Sequence, residues 1–289
     1  MSRAADQGAR DPLRDLCVII PTWNSGNRLE RSLRSVEDEL RPARIIVVDR
    51  DSRDGTPEIA RRHGATVIPD TVSLGSARIK GVGASGSEWV CFVDDDVVIP
   101  PGFRERTQRL LDDRTGAVQG AVISVHQPYR DMLVDSYEGR FRGGEAYDLG
   151  PGDRGLTSAT LVRRSLIEDL DLEDIDTWED WLMTQKVLDS GHRWIVARLY
   201  VDHFHELEDL PRKEGRNAAG ILNLGRTGRM PARRALWWYA HAALRGPRNA
   251  FWVTARSRDP RHFLHFSRQT LSVLLAPFYM LGEASRSRA

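Results

Sequence analysis

Three consecutive carboxylates directly follow a short apolar run in this chain. The run is Trp89-Val-Cys-Phe-Val93, and Asp94, Asp95 and Asp96 come immediately after it. Its β-branched and aromatic residues predict a buried strand, and open α/β sheets bind ligands at the carboxyl ends of their strands. Adjacent carboxylates repel one another unless a cation or a set of donors offsets their charge. The Asp94-x-Asp96 spacing therefore suits a hard divalent ion that carries a diphosphate.

Two other interpretations of this acidic cluster remain open from these residues alone. One is an acidic surface turn after a strand. The other is an aspartyl-phosphate enzyme with a nucleophile and an acid at Asp94 and Asp96. Such an enzyme needs a downstream lysine, and the only lysines after Asp96 are Lys186 and Lys213, neither in a fitting context.

The residues before the cluster alternate between strand-like and helix-like patterns. Strands are predicted at residues 16–20, 44–49 and 65–69, and helices begin at Leu29, after residues 51–56, and at Leu74. This alternation predicts a parallel, doubly wound α/β sheet with right-handed crossovers.

Four motifs in one order resemble the family 2 glycosyltransferases of the GT-A fold. They are Val18-Ile-Ile-Pro-Thr-Trp-Asn24, Ile45-Ile-Val-Val-Asp49 with Ser52-Arg-Asp-Gly-Thr56, Leu74-Gly-Ser-Ala-Arg78 with Ala84-Ser-Gly86, and Phe92-Val-Asp-Asp-Asp96. The stretch from Leu74 to Phe103 is especially similar to the polyprenyl-phosphate sugar synthases of that family. The resemblance covers roughly residues 15–205 and implies a Rossmann-like, mostly parallel sheet flanked by helices.

The resemblance implies a site for a UDP- or GDP-sugar at the ends of the first, second and fourth strands. The expected donor-binding residues are Pro21, Thr22, Trp23, Asn24, Asp49, Asp51, Arg78, Asp94 and Asp95. The expected ligands of a Mg²⁺ or Mn²⁺ ion are Asp94, Asp96 and His203, with His205 as the alternative histidine. Ordinary packing of Trp23 against a loop and helix capping by Asp49 remain alternatives.

The acceptor side is expected at Glu179 and Asp180, which begin a predicted helix. They resemble the Glu-Asp pair that starts the acceptor helix in the family, where the aspartate is the base of an inverting reaction. Transfer to a hydroxyl needs a carboxylate that removes the proton, whereas the alternative is an acid favoured by the helix dipole. Glycines crowd residues 139–155, which predicts a mobile loop that closes over substrate.

Charge is divided unevenly along the chain. Residues 211–289 hold 15 Lys+Arg against 3 Asp+Glu, which leaves 27 against 38 for residues 1–210, or net charges of +12 and −11. Aromatic residues such as Trp237, Phe251 and Phe263 lie among the arginines of this tail. Basic residues interleaved with interfacial aromatics are typical of a helix in the headgroup region of an anionic membrane.

Three segments are predicted: a disordered N-terminus at 1–14, a catalytic domain at 15–210 and a basic, aromatic, helical region at 211–289. We expect a lipid-linked or polyprenyl-phosphate acceptor and a peripheral location on the cytoplasmic face of the cell membrane. No signal peptide is expected, because the first residues lack an apolar stretch. A homodimer interface in the tail, with a non-lipid acceptor, is the alternative. Nucleic acid is not an expected partner, since no recognisable module is present.

Overall fold

The computed structural model describes residues 11–278, which divide into two compact units. The first contains residues 11–122, 140–174 and 179–203, and the second contains 123–139, 175–178 and 204–278. Two short segments inside the predicted catalytic domain therefore group with the C-terminal helices. The predicted N-terminal disorder does not extend to residues 11–14, because Leu13 is fully buried and Asp11 pairs with Arg104 at 2.8 Å. Residues 1–10 lie outside the described residues.

The first half of the first unit alternates strands and helices, as predicted. Its elements are β1 Cys17–Thr22, α1 Leu29–Leu40, β2 Arg44–Asp49, α2 Thr56–Arg62, β3 Thr66–Pro69, α3 Leu74–Ser85 and β4 Trp89–Val93. β1 pairs in parallel with β2 and β4, and β2 pairs in parallel with β3. Every residue of β4 is buried, as expected for a central strand covered on both faces.

The second half of the sheet contains antiparallel pairs of strands. The elements that follow β4 in the chain are β5 Val97–Val98, α4 Phe103–Gln108, β6 Thr115–Ser124, α5 Tyr129–Phe141, β7 Ala146–Asp148, β8 Ala159–Arg163, η1 Arg164–Leu166, α6 Glu179–Asp189, β9 Arg193–His203 and η2 Leu207–Asp209, where η1 and η2 are 3₁₀ turns. The strand order is β3-β2-β1-β4-β8-β6-β9-β5, with β7 beside β9.

The sheet is thus parallel from β3 to β4, and beyond β4 it includes strands that run in the opposite direction. β8 runs antiparallel to β4 and β6, and β9 runs antiparallel to β5 and β7. β6 runs in the same direction as β4, because both are antiparallel to β8, and the predicted α/β sheet flanked by helices is confirmed. A parallel neighbour requires a helical crossover, and the chain that leaves β4 turns at the carboxylates into β5 instead.

Helix α3 lies close to the sheet because of its glycines and its cap. Ser73 begins the helix, where its Oγ accepts a hydrogen bond from the amide of Ser76 at 3.0 Å. Gly81 faces β1 so closely that a Cβ there would lie 2.4 Å from Cγ2 of Ile19. This close approach brings Arg78, one helical turn earlier, over the end of the sheet.

The second unit is helical apart from the end of β6. Its long helices are α7 Leu210–Arg226, α8 Ala232–Ser257 and α9 Arg261–Leu274. They pack through small side chains, including Ala218, Val273 and Ala276 in one buried cluster. Within residues 11–278 there is no helix with the length and apolar character that crossing a membrane requires.

Candidate active site

The first carboxylate after β4 faces a buried arginine. Nη2 of Arg78 donates to Oδ1 of Asp94 at 2.8 Å, and the Arg78 side chain is only 2% exposed. The Asp94 amide donates to the carbonyl of Ser158 at 3.1 Å, which fixes the backbone at this point. Arg78, which is predicted to lie beside a diphosphate, thus has its guanidinium buried against a carboxylate.

The second carboxylate, Asp95, points to the start of α1. Ser25 Oγ donates to its Oδ2, and so do Nε and Nη2 of Arg28 at 3.1 and 3.0 Å. Burial, and then the neighbouring charge of Asp96, raise the pKa of Asp95 to about 6, although Arg28 and Ser25 act in the opposite direction. The sequence did not point to Ser25 and Arg28, since an arginine at a helix start has no distinctive pattern.

The third carboxylate, Asp96, meets the predicted histidine. β5 pairs with β9 so that Val97 lies opposite His203, and Nε2 of His203 lies 3.1 Å from Oδ2 of Asp96. Both side chains keep some exposure, 25% and 12%. The alternative histidine, His205, belongs to the second unit and is buried.

The pair of Asp96 and His203 has the chemistry and spacing of two metal ligands. Carboxylate oxygen and imidazole nitrogen both bind Mn²⁺, and adjacent ligands of an octahedral ion lie roughly 3 Å apart. Asp94, the third predicted ligand, instead pairs with Arg78. No set of three or more His, Cys, Asp or Glu side chains between residues 11 and 278 is grouped to hold a metal. The residues therefore fit an ion only if a ligand such as a diphosphate supplies further oxygens.

Asp49, the carboxylate predicted to bind the nucleobase, accepts hydrogen bonds from residues at its own edge of the sheet. It lies opposite Thr22 in the β1–β2 register, and Oγ1 of Thr22 donates to its Oδ1 at 2.8 Å. The Ser52 hydroxyl donates to Oδ1 at 2.6 Å, and the Ser52 amide donates to Oδ2 at 2.9 Å. Asp49 thus ties two strand ends together and shapes the turn that follows β2.

The other residues predicted to contact the nucleobase lie at the end of β1 and on the exposed turns after β1 and β2. The Trp23 ring is 58% exposed, with the Arg50 guanidinium 5.9 Å from its centroid. The Asn24 amide donates to Ser52 Oγ at 2.8 Å, which links the two turns. Asp51 is exposed, and Pro21 is half-buried within β1. An exposed aromatic face beside two turns can stack on a planar ring.

The predicted acceptor pair, Glu179 and Asp180, begins α6 and is buried. Nε of Arg78 donates to Oε1 of Glu179 at 3.2 Å, and Nε of Arg154 donates to Oδ1 of Asp180 at 2.8 Å. Burial, followed by the charge of Asp180, raises the pKa of Glu179 to about 7, against the lowering effect of both arginines. No sequence pattern pointed to Arg154, because the glycines around it predicted a mobile loop.

Arg78 therefore connects the two sets of predicted carboxylates. One guanidinium contacts Asp94 at the end of β4 and Glu179 at the start of α6. The carboxylates predicted to bind the donor and those predicted to act on the acceptor thus belong to one charged cluster. Such a cluster can carry out a displacement in which a bound anion leaves while a nearby carboxylate takes a proton.

Comparisons with known proteins agree with this architecture. A model of the family described as Glycosyl transferase family 2 matches residues 17–171. Glycosyltransferase AglE of Haloferax volcanii is 22% identical over 238 residues, which cover 76% of this chain and 78% of AglE. EpsH of Bacillus subtilis, named as a glycosyltransferase, is 25% identical over 170 residues, which cover 52% of this chain and 47% of EpsH. The match therefore spans about half the length of EpsH.

A solved structure extends the likeness to most of the chain. It is the mannosyltransferase PcManGT from Pyrobaculum calidifontis in complex with GDP-Man and Mn²⁺, with a TM-score of 0.61 and 19% identity. The likeness covers 94% of this chain and 89% of that one. The fold is that of a GT-A glycosyltransferase with a helical C-terminal extension. The chain belongs to glycosyl transferase family 2, because the family model matches more than half of it.

Proposed function

We propose that this glycosyltransferase moves one sugar, with inversion, from a nucleotide-diphosphate sugar to a lipid-linked or polyprenyl-phosphate acceptor. The observation that supports this most strongly is the single charged cluster in which Arg78 contacts both Asp94 and Glu179. Donor and acceptor groups must meet within bonding distance during transfer. A cluster that joins the two sets of carboxylates through one guanidinium supports the proposal that they act on neighbouring substrate groups.

For the donor side, we propose that Asp96 and His203 hold a Mg²⁺ or Mn²⁺ ion against the diphosphate. Support comes from their 3.1 Å separation and from the solved relative PcManGT, which was crystallised with GDP-Man and Mn²⁺. The bound ion would offset negative charge that develops on the departing nucleotide. The exposed Trp23 ring would stack on the base. Asp95, held by Ser25 and Arg28, would keep the loop after β4 in place.

For the acceptor side, we propose that Asp180 takes the proton of an acceptor hydroxyl. The acceptor oxygen then bonds to the anomeric carbon from the face opposite the nucleotide, and the bond from that carbon to the diphosphate oxygen breaks. The nucleoside diphosphate leaves with the electron pair of the broken bond. An acceptor that is already an ionised phosphate needs no base, so the effect of removing Asp180 separates the two acceptor types.

The surface of the second unit supports a lipid-linked acceptor. Of the twelve large apolar side chains exposed in residues 11–278, ten lie between residues 236 and 278. Trp237, Leu244 and Phe251 recur every seven residues, which places them on one face of α8. Residues 232–278 contain eight arginines and one acid, Asp259. Apolar faces with a surplus of arginine suit the headgroup layer of an anionic membrane.

The same charge argues against the alternative of a homodimer through these helices. Residues 232–278 carry eight arginines and one acid, and of these arginines Arg245, Arg256 and Arg261 pair with Glu214, Asp131 and Asp259. Like charges across an interface are repulsive unless they are paired. We therefore propose peripheral binding at the cytoplasmic face of the membrane.

Transfer is tested by incubating the purified protein with radiolabelled UDP- and GDP-sugars, Mn²⁺ and polyprenyl-phosphate or lipid-linked acceptors in anionic vesicles. We expect radiolabelled sugar to be transferred from one of these donors to one of these lipid acceptors. Asp180→Asn should lower kcat by about 100-fold or more with a hydroxyl acceptor and much less with a phosphate. Asp189→Asn, an exposed aspartate at the other end of α6, should not alter the rate. Absence of transfer or hydrolysis with every donor would refute the proposal.

Membrane binding is tested separately by flotation with vesicles. The double variant Leu244→Glu and Phe251→Glu should lose binding to anionic vesicles, since both side chains are more than 70% exposed. Val72→Glu, which changes an exposed apolar residue of the first unit, should bind as the wild type does. Equal flotation of the wild type and the double variant, or a dimer that does not float, would contradict peripheral binding.

A further inference from the structure

The glycine-rich segment before β8 is fastened to α6. We call residues 150–155 the glycine strap. The Gly152 amide donates to Oε1 of Gln185 at 2.9 Å, and Nε2 of Gln185 donates to the carbonyl of Asp153 at 2.9 Å. The Gly155 amide donates to Oγ1 of Thr184 at 3.0 Å. Side chains of α6 thus hold the backbone of this part of the predicted mobile loop at three points.

The fit of the strap also depends on a residue without a side chain. A Cβ on Gly155 would lie 2.5 Å from the ring of Trp194 and 2.7 Å from Oγ1 of Thr184. Trp194 is fully buried, and its Nε1 donates to Oε1 of Gln119 at 2.7 Å. The strap therefore lies directly on a fixed ring, which leaves its backbone little freedom to shift.

Arg154 stands between two anchored residues of the strap and points to the proposed base. Asp153 and Gly155 on either side are both hydrogen-bonded to α6, and Nε of Arg154 donates to Oδ1 of Asp180 at 2.8 Å. The Asp180 side chain is 7% exposed and that of Arg154 is 23% exposed. The ion pair is thus shielded on the carboxylate side and held from a rigid backbone.

The hydrogen bonds of Asp180 all converge on one oxygen. Oδ1 accepts from Arg154 Nε and, at 2.7 Å, from the amide of Trp181. These two donors contact Oδ1 and not Oδ2. One oxygen is therefore held by two donors, which fixes the direction in which the other oxygen points. A general base needs a fixed carboxylate with one accessible oxygen.

We propose that Arg154 is a positioning residue, which the glycine strap presents so that Oδ2 of Asp180 faces the acceptor hydroxyl. This inference rests on the proposed role of Asp180 as the base. It goes beyond that role because it assigns a defined function to one side chain of the segment that the sequence predicts as a mobile loop. It also makes Gln185 and Thr184 supports of the reaction through the strap.

The charged groups that face Asp180 are Glu179, Arg154 and Arg78. Arg154 and Arg78 both lower the pKa of Glu179, which burial and Asp180 raise to about 7. Adjacent carboxyls lose their protons as a pair. Removal of Arg154 should therefore raise the pKa of Glu179 further, and this is a change that simple loosening of the strap would not produce.

The test compares Arg154→Met, Arg154→Lys, Asp180→Asn and the double variant Arg154→Met with Asp180→Asn. The control is Arg140→Met, which removes an arginine that contacts the strap at Asp153 but not Asp180. Each variant is measured for kcat and KM across pH 5–9, for nucleotide binding by calorimetry and for thermal melting. Misplacement of a reacting group by about 1 Å costs up to roughly 100-fold in rate.

We expect Arg154→Met to lower kcat by about 10- to 100-fold, with donor binding and melting unchanged and the acidic limb of the profile moved upward. Arg154→Lys should restore part of the rate, and Arg140→Met should match the wild type. The double variant should be no slower than Asp180→Asn alone, because Arg154 acts through Asp180.

Two results would overturn the proposal, and they are distinguishable. If Asp180→Asn is inactive while Arg154→Met keeps the wild-type rate and pH profile, Arg154 has no positioning role and the base assignment stands. If the losses of the two single variants multiply in the double variant, Arg154 acts independently of Asp180 and the proposal fails. By contrast, an active Asp180→Asn with a hydroxyl acceptor would show that the base assignment itself is wrong.

Discussion

Arg78 donates to Glu179 at 3.2 Å across a sequence separation of 101 residues. The same guanidinium donates to Asp94 at 2.8 Å and is 2% exposed. Its charge is thus compensated within the protein by two carboxylates from different elements. A buried cation in this setting holds the end of β4 and the start of α6 at a fixed separation.

The first prediction concerns the stability of this cluster. Arg78→Met should lower the free energy of unfolding by about 3–5 kcal/mol, because it leaves Asp94 and Glu179 without their counter-charge. Urea denaturation measures the loss. Arg34→Met, which breaks an exposed pair with Glu30 on α1, should leave the unfolding curve unchanged. Equal stability of both variants would show that Arg78 does not hold the cluster together.

The second prediction follows from the raised pKa of Glu179. Burial lifts this pKa from 4.5 to about 7, so the folded state binds a proton that the unfolded chain has released between these two values. The stability contributed by protonated Glu179 is fully present below pH 4.5 and is lost as pH rises through 7. The wild type should therefore lose more stability than Glu179→Gln does over this window. Parallel stability curves for the two proteins would contradict the assignment, and Glu168→Gln, at an exposed site, is the control.

The third prediction concerns the proposed ion site. His203→Ala should raise the Mn²⁺ concentration needed for half-maximal nucleotide binding by about 10-fold or more, because it removes one of two protein ligands. Calorimetry with nucleoside diphosphate, and the electron paramagnetic resonance signal of bound Mn²⁺, both report this without turnover. His192→Ala removes a histidine that bonds to Ser190 and should not change the affinity. Chelation with EDTA should abolish the difference between wild type and His203→Ala.

The fourth prediction compares two glycines of α3. Gly81→Ala should be destabilising by about 1–3 kcal/mol, since its Cβ would meet Ile19 at 2.4 Å. A Cβ on Gly83 would have no atom within 4 Å, so Gly83→Ala should stabilise the helix by up to about 1 kcal/mol. Thermal melting of the two single variants provides the comparison. A loss of stability in Gly83→Ala equal to that in Gly81→Ala would show that the close approach of α3 to β1 does not matter.

The local pattern of the sequence predicted the elements that carry the site. The apolar run of β4, the buried spacing along α1 and the strand β2 lie where periodicity and residue type placed them. The predicted Asp96 and His203 also meet, because β9 continues to His203 and pairs there with β5. Long-range pairing with β5 extends the strand, and no local pattern reports such pairing.

Roles that depend on contacts between distant residues were not predictable in the same way. The contact of Arg78 with Glu179, 101 residues away, was not expected, although Arg78 itself was predicted as a site residue. Arg154 lies in a segment whose glycines predicted mobility, yet α6 holds that segment in place. A hydrogen bond from one side chain to a distant backbone leaves no periodic trace in the sequence.

The sequence by itself determined the family, the order of the first strands and helices, and the placing of carboxylates at strand and helix ends. These features depend on residue type and short spacing, which the chain displays directly. Only the tertiary structure decided the antiparallel direction of β8, the pairing of Asp94 with Arg78 and of Asp96 with His203, and the contact of Arg154 with Asp180. The physical reason is that each guanidinium pairs with whichever carboxylate the packed elements bring within about 3 Å, and that distance is set by the whole fold.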